Sequence, residues 1–563
     1  MTGREGRGHS RTERVRALQS AGLAIVLVIG SGALSFPEKA AGQEATTEIV
    51  VANNSDALNG DISSADNLTA NPGPDGISLR EAIEATNNDP GTYGIRFDEA
   101  LSGSTITLGS GLPELTGGGV AIEGDMDGDR ISDVTIASPD GERGLWGFSV
   151  ASSGNRLAGL TLRRFLTGVQ LQPSVSGTSL PDHQVYADNV IANMVILNVN
   201  EGIAVRSGFS SECPGPPEPQ RCETYNTWTN TSIVGNTVQA RRLAAHDVDP
   251  RGIAVRPTHV GDSFVHATVT DNDVGVSGRN TDIGIGVQSG LDSTNVRIAD
   301  VFIARNTVSG PVGIGIEVTA GANRAQATTV ENVRVVDNRI DLVDRDQAFC
   351  CQGIVVQAGS DSPEFAIGPP VRYLDDNLVR DVVVRGNSVT GDLAWGLSVQ
   401  AGVGGGGHRN RVRNIRVVDN LFRSTKAAMG AFVWTGDGNP YKNRYSADNR
   451  ISGLVIKKNR IRIATGRDFR DAGGGVGASG VALLSGHKFG RYNVIRNVRI
   501  AGNLIRIAYV GIKLVGGIGE TALRNRVICV PRSGNSIIGA RKNLSVRSNI
   551  DGARGNKARL GGC

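Results

Sequence analysis

A tetrapeptide of glycine, an apolar residue, any residue and then Val or Leu recurs ten times along the chain. Neighbouring copies lie 31 to 50 residues apart, which is the length of one supersecondary unit. The glycines that begin the copies are Gly168, Gly202, Gly252, Gly284, Gly315, Gly353, Gly396, Gly430, Gly480 and Gly511. Such a repeat predicts a solenoid, in which each unit stacks only on its neighbours.

A second repeated element, a short apolar strand that ends in Asn, lies between the copies. Asn tolerates the left-handed backbone conformation and its amide can bond to another Asn, so we expect an Asn ladder at a turn. The Asn residues concerned are Asn236, Asn272, Asn306, Asn338, Asn387, Asn420, Asn459 and Asn503. The Val, Ile and Gly content disfavours a helical solenoid, and the irregular spacing disfavours a propeller.

These two elements resemble the right-handed parallel β-helix repeats of the pectin-lyase-like superfamily, over about residues 140–535. The segment ISLREAI, with Ile77 in place of a cysteine, resembles the CSLREA-type N-terminal region of secreted bacterial β-helix proteins. We therefore predict an all-β fold, a right-handed parallel β-helix solenoid with a short N-terminal capping helix. The resemblance implies a fold rather than one activity, because the superfamily includes lyases, hydrolases, epimerases and adhesins.

Four segments follow from this prediction. Arginines precede a short apolar run within residues 1–42, which predicts a bacterial-type export signal cleaved after Gly42 and a secreted or cell-surface protein. An uncleaved membrane anchor is the alternative, and no transmembrane segment is expected in the mature chain. Residues 43–135 are expected to form the cap and the first coils, residues 136–535 the β-helix repeats, and residues 536–563 a basic C-terminal tail or cap.

The capping helix is expected to run from Leu79 to about Thr86. Ser78 and Glu81 have the spacing of a capping box, in which each side chain bonds to the backbone of the other residue. Short β-like pieces separated by glycine turns follow the helix.

Two local motifs predict further covalent or metal bonds. Cys213 and Cys222 flank a proline-rich loop, and we predict a disulfide between them, with free thiols as the alternative. The pairing of the other four cysteines stays open.

The loop GDMDGDRISD offers hard oxygen ligands for a structural Ca²⁺ ion, and a solvated acidic turn is the alternative. The predicted ligands are Asp125, Asp127, Asp129 and Asp133.

Outward residues of the repeated strand are the candidate ligand contacts. The apolar residues of each tetrapeptide are expected to face the core, so the third residue and the residue after the strand face outward. This gives a column of amide, charged and aromatic groups suited to sugar: Arg206, Arg256, Gln288, Glu317, Gln357, Gln400, Phe432, Trp434 and Lys513. An ordinary solvated sheet face is the alternative. Glu317 is its only acid, so a carboxylate pair is not visible and no catalytic residue is assigned.

Charge is divided unevenly along the chain, although the formal net charge is only +4. Residues 401–563 contain 30 Lys and Arg but 7 Asp and Glu, a net of +23. In a solenoid this segment forms one end of a rod, and such a field attracts anions. The arginines expected to meet a polyanion are Arg409, Arg411, Arg413 and Arg416. Self-association and internal charge compensation are the alternatives, and nucleic acid ranks below polysaccharide because aromatic residues are sparse.

The sequence therefore predicts a secreted β-helix protein that binds an acidic surface or matrix polysaccharide, or another extracellular polyanion, without catalysis. A polysaccharide lyase or related carbohydrate-active enzyme is one alternative, and a structural adhesin is another. Apart from calcium, no cofactor is expected.

Overall fold

Three long parallel sheets surround one continuous apolar core in the computed structural model of the protein. The chain passes through sheet 1, sheet 2 and sheet 3 in turn, so each coil adds a strand to each sheet. The structure describes residues 47–139, 144–174, 182–207, 223–243, 249–278, 282–291, 293–322, 325–343, 351–360, 375–403, 407–425, 429–437, 445–464, 478–507, 509–519 and 521–561. Because every pairing within these sheets is parallel and joins successive coils, the parallel β-helix prediction is confirmed. The predicted export signal lies outside the described residues.

Sheet 3 contains all ten tetrapeptides as direct neighbours, as the repeat predicts. It has one further strand at each end. Its strands are Trp146–Val150, Thr167–Leu171, Glu201–Arg206, Arg251–Arg256, Ile283–Leu291, Ile314–Ala322, Gln352–Ser360, Trp395–Val403, Met429–Asp437, Ser479–His487, Val510–Val515 and Lys542–Arg547.

Sheet 2 has one short strand per coil, and from Thr237 onward each strand directly follows an Asn of the repeat. Its strands are Thr105–Thr107, Val134–Ala137, Leu160–Arg163, Val195–Val199, Thr237–Arg241, Asp273–Ser277, Thr307–Gly310, Arg339–Leu342, Ser388–Gly391, Leu421–Ser424, Arg460–Ile463, Leu504–Arg506 and Ser536–Ile538.

Sheet 1 is bent, because most coils contribute two short strands to it. Its strands are Thr47–Val51, Tyr93–Phe97, Val120–Glu123, Arg156–Ala158, Val185–Ala187, Val190–Ala192, Thr227–Thr229, Ser232–Val234, Ser263–Thr270, Arg297–Ala304, Thr329–Glu331, Arg334–Val336, Leu378–Arg380, Val383–Arg385, Arg411–Arg413, Arg416–Val418, Arg450–Ser452, Val455–Lys457, Val494–Arg496, Arg499–Ala501, Arg526–Val530, Arg532–Ser533 and Lys557–Leu560. Ser446–Ala447 and Gly490–Arg491 form a separate two-stranded pair. Residues 536–561 thus continue the coils as a last turn of the solenoid.

Close approach between coils explains the glycine of the tetrapeptide. A Cβ atom built on Gly315 would lie 2.6 Å from the carbonyl oxygen of Gly353 in the next coil and 2.6 Å from Cγ2 of Ile340 in sheet 2. The same clash with the next glycine carbonyl recurs from Gly168 to Gly480. None of these ten glycines has a positive φ. The repeat therefore needs glycine for space rather than for backbone freedom.

An Asn ladder runs along the turn between sheets 1 and 2, as the repeat predicts. Each Asn from Asn236 to Asn503 donates Nδ2 to Oδ1 of the next ladder Asn at 2.9 to 3.0 Å, and Asn535 ends the series. The expectation that these Asn residues are left-handed is wrong. The preceding residue, such as Asp271 or Arg305, has the positive φ. Its bend turns the Asn amide inward, where it bonds along the stack.

A second Asn ladder, at the start of sheet 1, was not predicted. Its members bond in the same way at 2.9 to 3.0 Å. They are Asn377, Asn410, Asn449, Asn493, Asn525 and Asn556.

The predicted capping helix spans Leu79–Asn88, two residues beyond the expected end. The capping box is present, since Glu81 N donates to Ser78 Oγ at 3.2 Å and Ser78 N donates to Glu81 Oε2 at 2.8 Å. Leu79 and Ile83 are buried in the same core as Ile49 of the first strand. The helix thus packs on the first coil, beside the helix Ala65–Ala70, and a 3₁₀ turn follows at Glu99–Leu101.

Candidate functional site

The outer face of sheet 3 gathers most of the predicted ligand-binding residues. On strand Gln352–Ser360, Ile354 and Val356 point into the core, so Val355 and Gln357 point outward. The register between coils places the predicted residues in two columns rather than the one expected. The first column contains Glu317, Phe432 and Lys513, and the second contains Arg206, Arg256, Gln288, Gln357, Gln400 and Trp434.

This face is a buried polar layer and not the open solvated face that the sequence pattern suggests. Glu317 is 3% exposed, Gln400 6% and Gln357 8%. Neighbouring strands lie about 4.8 Å apart, so long side chains in register pack against one another. Buried polar groups need hydrogen-bond partners, and these residues largely find them in each other.

Glu317 is the centre of one hydrogen-bond network. Its carboxylate accepts from Gln288 Nε2 at 2.6 Å, from Gln357 Nε2 at 2.8 Å and from Thr319 Oγ1 at 2.6 Å. Arg251 Nη1 extends the network by donating to Gln288 Oε1 at 2.8 Å. The network joins four successive strands and fixes the side chains relative to one another.

Glu201 is the centre of an adjoining group of arginines. It forms ion pairs with Arg206 and with Arg256, the latter at 2.7 Å. Burial, together with the charges of Arg256 and Arg251, lowers the pKa of Arg206 to about 9. Burial also lowers the pKa of Arg256 to about 10, with Glu317 opposing the shift. The sequence pattern missed Glu201 because it precedes the tetrapeptide glycine.

Aromatic side chains continue the face toward the C-terminal coils. The rings of Trp395 and Phe432 stack at 5.7 Å, and Trp434 lies 5.4 Å from Phe432. His487 meets the edge of Trp434 at 5.9 Å and its Nδ1 lies 3.0 Å from Oδ1 of Asp437. Trp395, Asp437 and His487 were not predicted. They occupy the two ends of the long strands, outside the repeated tetrapeptide.

Several buried polar atoms of this face have no hydrogen-bond partner among the described residues. They include Oε1 and Nε2 of Gln172, Oε1 of Gln170, Oε1 of Gln352 and Nε1 of Trp434. Each such atom costs about 1–3 kcal/mol when it is removed from water. Each atom has almost no accessible surface, so a ligand reaches it only when neighbouring side chains move.

Lys513 lies among apolar residues near the far end of the face, and Ser545 and Arg547 follow it on the last strand. Burial lowers the pKa of Lys513 to about 8, with Arg547 as a smaller cause. Its neighbours on the same face include Leu484 and Val515, which are buried.

The predicted polyanion-binding arginines differ from one another in the structure. Arg409 is held by Asp376, with its Nη2 2.8 Å from Oδ2, and it also contacts Asp375. Arg411, Arg413 and Arg416 are exposed on sheet 1, and none forms an ion pair with a described residue. Only these three are available to an external anion without breaking an existing pair.

Three of the four predicted calcium ligands converge. Carboxylate oxygens of Asp125, Asp127 and Asp133 lie within 4.8 Å of one another. Asp129 is not in this group, and its carboxylate accepts from the backbone N–H of Ile131 at 2.7 Å. The loop can thus offer three carboxylates to a hard cation, one fewer than expected.

The cysteine prediction falls on residues that the structure does not describe. Cys213 and Cys222 both lie outside the described ranges. Cys351 and Cys529 each take part in a disulfide.

Within the described residues, no helix is long and apolar enough to cross a membrane.

The chain matches no protein-family model and no curated protein sequence. Solved structures similar to it include the A-module of an Azotobacter vinelandii mannuronan C-5 epimerase, at 11% identity and a TM-score of 0.33 over 86% of this chain and 96% of that one. A tailspike protein of an E. coli bacteriophage, in complex with a hexasaccharide, is 11% identical with a TM-score of 0.37 over 86% and 75%. PfbA, a surface adhesin of Streptococcus pneumoniae, is 10% identical with a TM-score of 0.34 over 84% and 88%. These similarities assign no function to the chain, and its fold rests on its own coil-to-coil pairing.

Proposed function

We propose that the protein is a secreted β-helix that binds an acidic polysaccharide along the outer face of sheet 3. One observation carries the proposal: the partly exposed side chains of Arg206, Arg256 and Trp434 lie in one column on this face, and the partly exposed Trp395 lies beside them. An acidic glycan offers carboxylates to guanidinium groups and apolar ring faces to indole rings, so one chain along the column can contact both kinds of side chain.

The rest of the face suits the same ligand. Trp395 and Trp434 offer ring surfaces to the apolar faces of sugars, because aromatic rings combine a flat apolar body with, in Trp, an N–H donor. Arg206 and Arg256 lie on the same face, and a guanidinium has five donors, so each can hold a ligand carboxylate in addition to Glu201.

Binding of the mature protein to polygalacturonate, alginate and a neutral glucan tests the proposal. Trp434→Ala and Trp395→Ala are each expected to weaken binding to a polyuronate about tenfold, which corresponds to a loss of about 1.4 kcal/mol of binding free energy. Thr307→Ala, on the outward side of sheet 2, is the matched control. Unchanged affinity in both face variants would refute the proposal.

A polysaccharide lyase is the second candidate, favoured by Arg206 and Glu317 on one face. A general base acts best when its pKa lies near the working pH, and burial moves the pKa of Arg206 in that direction. Absorbance from unsaturated products distinguishes this activity from binding. It should appear with wild type and be lost in Arg206→Gln if the protein is a lyase.

A further inference from the structure

Three arginines form an in-register stack on the outer side of sheet 2. Arg423 pairs in register with Arg462, and Arg462 pairs with Arg506, on three successive strands. All three side chains are exposed, and Arg460 is exposed on the same side of its strand. We refer to Arg423, Arg462 and Arg506 as the arginine stack.

No described acidic residue forms an ion pair with the arginine stack. Like charges on directly opposite positions of neighbouring strands destabilise a sheet. Neighbouring strands are about 4.8 Å apart, so the repulsion within this stack is not removed by distance. Folding alone therefore gives no reason for three arginines in register.

Earlier coils of the solenoid show how the same fold compensates such positions. On sheet 1, Glu331 lies between Arg297 and Arg380 and accepts a bond from each, at 2.8 and 2.6 Å. Arg305 is likewise held by Asp271 at 2.6 Å. The arginine stack lacks the intervening carboxylates that these arginines have.

We propose that the arginine stack is a second binding surface, on which a linear anionic polysaccharide lies parallel to the solenoid axis. Carboxylate or sulfate groups of the polymer would lie between the arginines of the stack, in the same way as the Glu331 carboxylate lies between Arg297 and Arg380 on sheet 1. Arginine holds such groups through two parallel N–H donors. The described outward residues in register beside the stack include Leu421 and Leu504, which are aliphatic and offer no platform on which nucleic-acid bases stack.

This inference rests on the proposed function for the class of polymer, but it uses a different face of the molecule. The two faces predict different dependence on salt. Release of counterions by the arginine stack makes affinity fall with salt, whereas contacts by the rings of Trp395 and Trp434 are insensitive to salt. Arg206 and Arg256 also respond to salt, but the stack variant leaves both unchanged, so a change of slope in that variant belongs to the stack.

The test measures binding of polygalacturonate, alginate and heparin at several NaCl concentrations. The variant Arg423→Gln, Arg462→Gln, Arg506→Gln should lose at least tenfold in affinity at about 0.1 M NaCl. Its plot of log K against log [NaCl] should be flatter by about 2, at about 0.7 for each arginine that neutralises a charge on a single-stranded polymer. The control variant Arg96→Gln, Arg156→Gln, Arg305→Gln removes the same net charge from arginines that are ion-paired to Glu48, Glu123 and Asp271. It should keep the wild-type slope, and far-UV circular dichroism verifies that both variants fold.

Several results would overturn the inference. These are an unchanged slope in the stack variant, equal flattening in the control, or no salt-dependent binding of wild type to any of the three polymers. Equally tight binding of single-stranded DNA would show a surface for polyanions in general and would contradict the commitment to polysaccharide. If Trp434→Ala has no effect while the stack variant flattens the slope, the proposed function fails and the inference stands. The opposite pattern removes the inference and leaves the proposed function.

Discussion

Replacing one Asn of the ladder by Ala should destabilise the solenoid far more than the small size of the deleted group suggests. Asn306 is 1% exposed. Its Nδ2 donates to Val269 O at 2.8 Å and to Asn338 Oδ1 at 2.9 Å. Its Oδ1 accepts from the backbone N–H and from Nδ2 of Asn272, at 3.0 and 2.9 Å. One side chain thus bonds to the coils on both sides.

The magnitude follows from these four bonds. In Asn306→Ala the buried backbone N–H of Asn272 loses its acceptor, which costs about 1–3 kcal/mol, and the two bonds donated by Asn306 contribute about 1 kcal/mol each. Nδ2 of Asn272 loses the fourth bond but keeps its bond to Ile233 O at 3.1 Å, so no further cost is counted for it. The sum of the unpaired N–H and the two lost donated bonds gives an expected fall in the free energy of unfolding of about 3–5 kcal/mol. Because Asn272 and Asn306 share bonds, the double variant Asn272→Ala, Asn306→Ala should lose less than the sum of the two single losses.

Urea unfolding followed by far-UV circular dichroism measures these losses. Asp273→Ala is the matched control, since Asp273 is an exposed residue directly after ladder residue Asn272, and its change should stay within about 0.5 kcal/mol. A loss below about 1 kcal/mol in Asn306→Ala would show that water or neighbouring groups replace the bonds, and the energetic argument would then be wrong.

Three further predictions concern the glycine repeat, pH and calcium. Gly315→Ala should destabilise by about 1–3 kcal/mol because its Cβ overlaps Gly353 O, whereas Gly275→Ala, whose nearest neighbour is 3.8 Å away, should be tolerated in urea unfolding. Burial raises the pKa of Asp262 to about 6, so the folded state binds this proton more tightly than the unfolded state, and stability should fall as pH rises from about 4 to about 6. Asp262→Asn should remove that part of the pH dependence. If the free energy of unfolding changes equally with pH in both proteins over this range, the prediction is wrong. Saturating Ca²⁺, at 100 times its Kd, should stabilise the chain by about 2.7 kcal/mol, and calorimetry should show the effect lost in Asp127→Asn but kept in Asp129→Asn.

The strands of sheet 3 could be predicted because the requirement for glycine is repeated in every coil. The clash between a Cβ at Gly315 and the carbonyl of Gly353 is the same clash at each copy, so the pattern survives insertions between coils. The second Asn ladder could have been found from the same kind of signal, since Asn377, Asn410 and Asn449 each stand two residues before a buried Val or Ile.

The candidate site was less predictable for a physical reason. Which residues face outward follows from period two within one strand, but which of them touch depends on the register between coils. The neighbours Glu201 and Arg256 are 55 residues apart, and Glu317 and Gln357 are 40 apart. Sequence alone therefore identified most of the polar residues of the face but neither their two columns nor their burial.

The last coil has a consequence for contact between copies of the molecule. Strand Lys542–Arg547 ends sheet 3, and Lys557–Leu560 ends sheet 1, with no described strand beyond either. Unpaired backbone groups at such an edge are a template on which another chain can add a strand. Here Lys542, Arg547 and Lys557 are exposed along that edge, and charged side chains on an edge strand oppose such addition. Lys542, Arg547 and Lys557 thus oppose addition of another copy at the edge of the last described turn, where Val546 and Leu560 are also exposed.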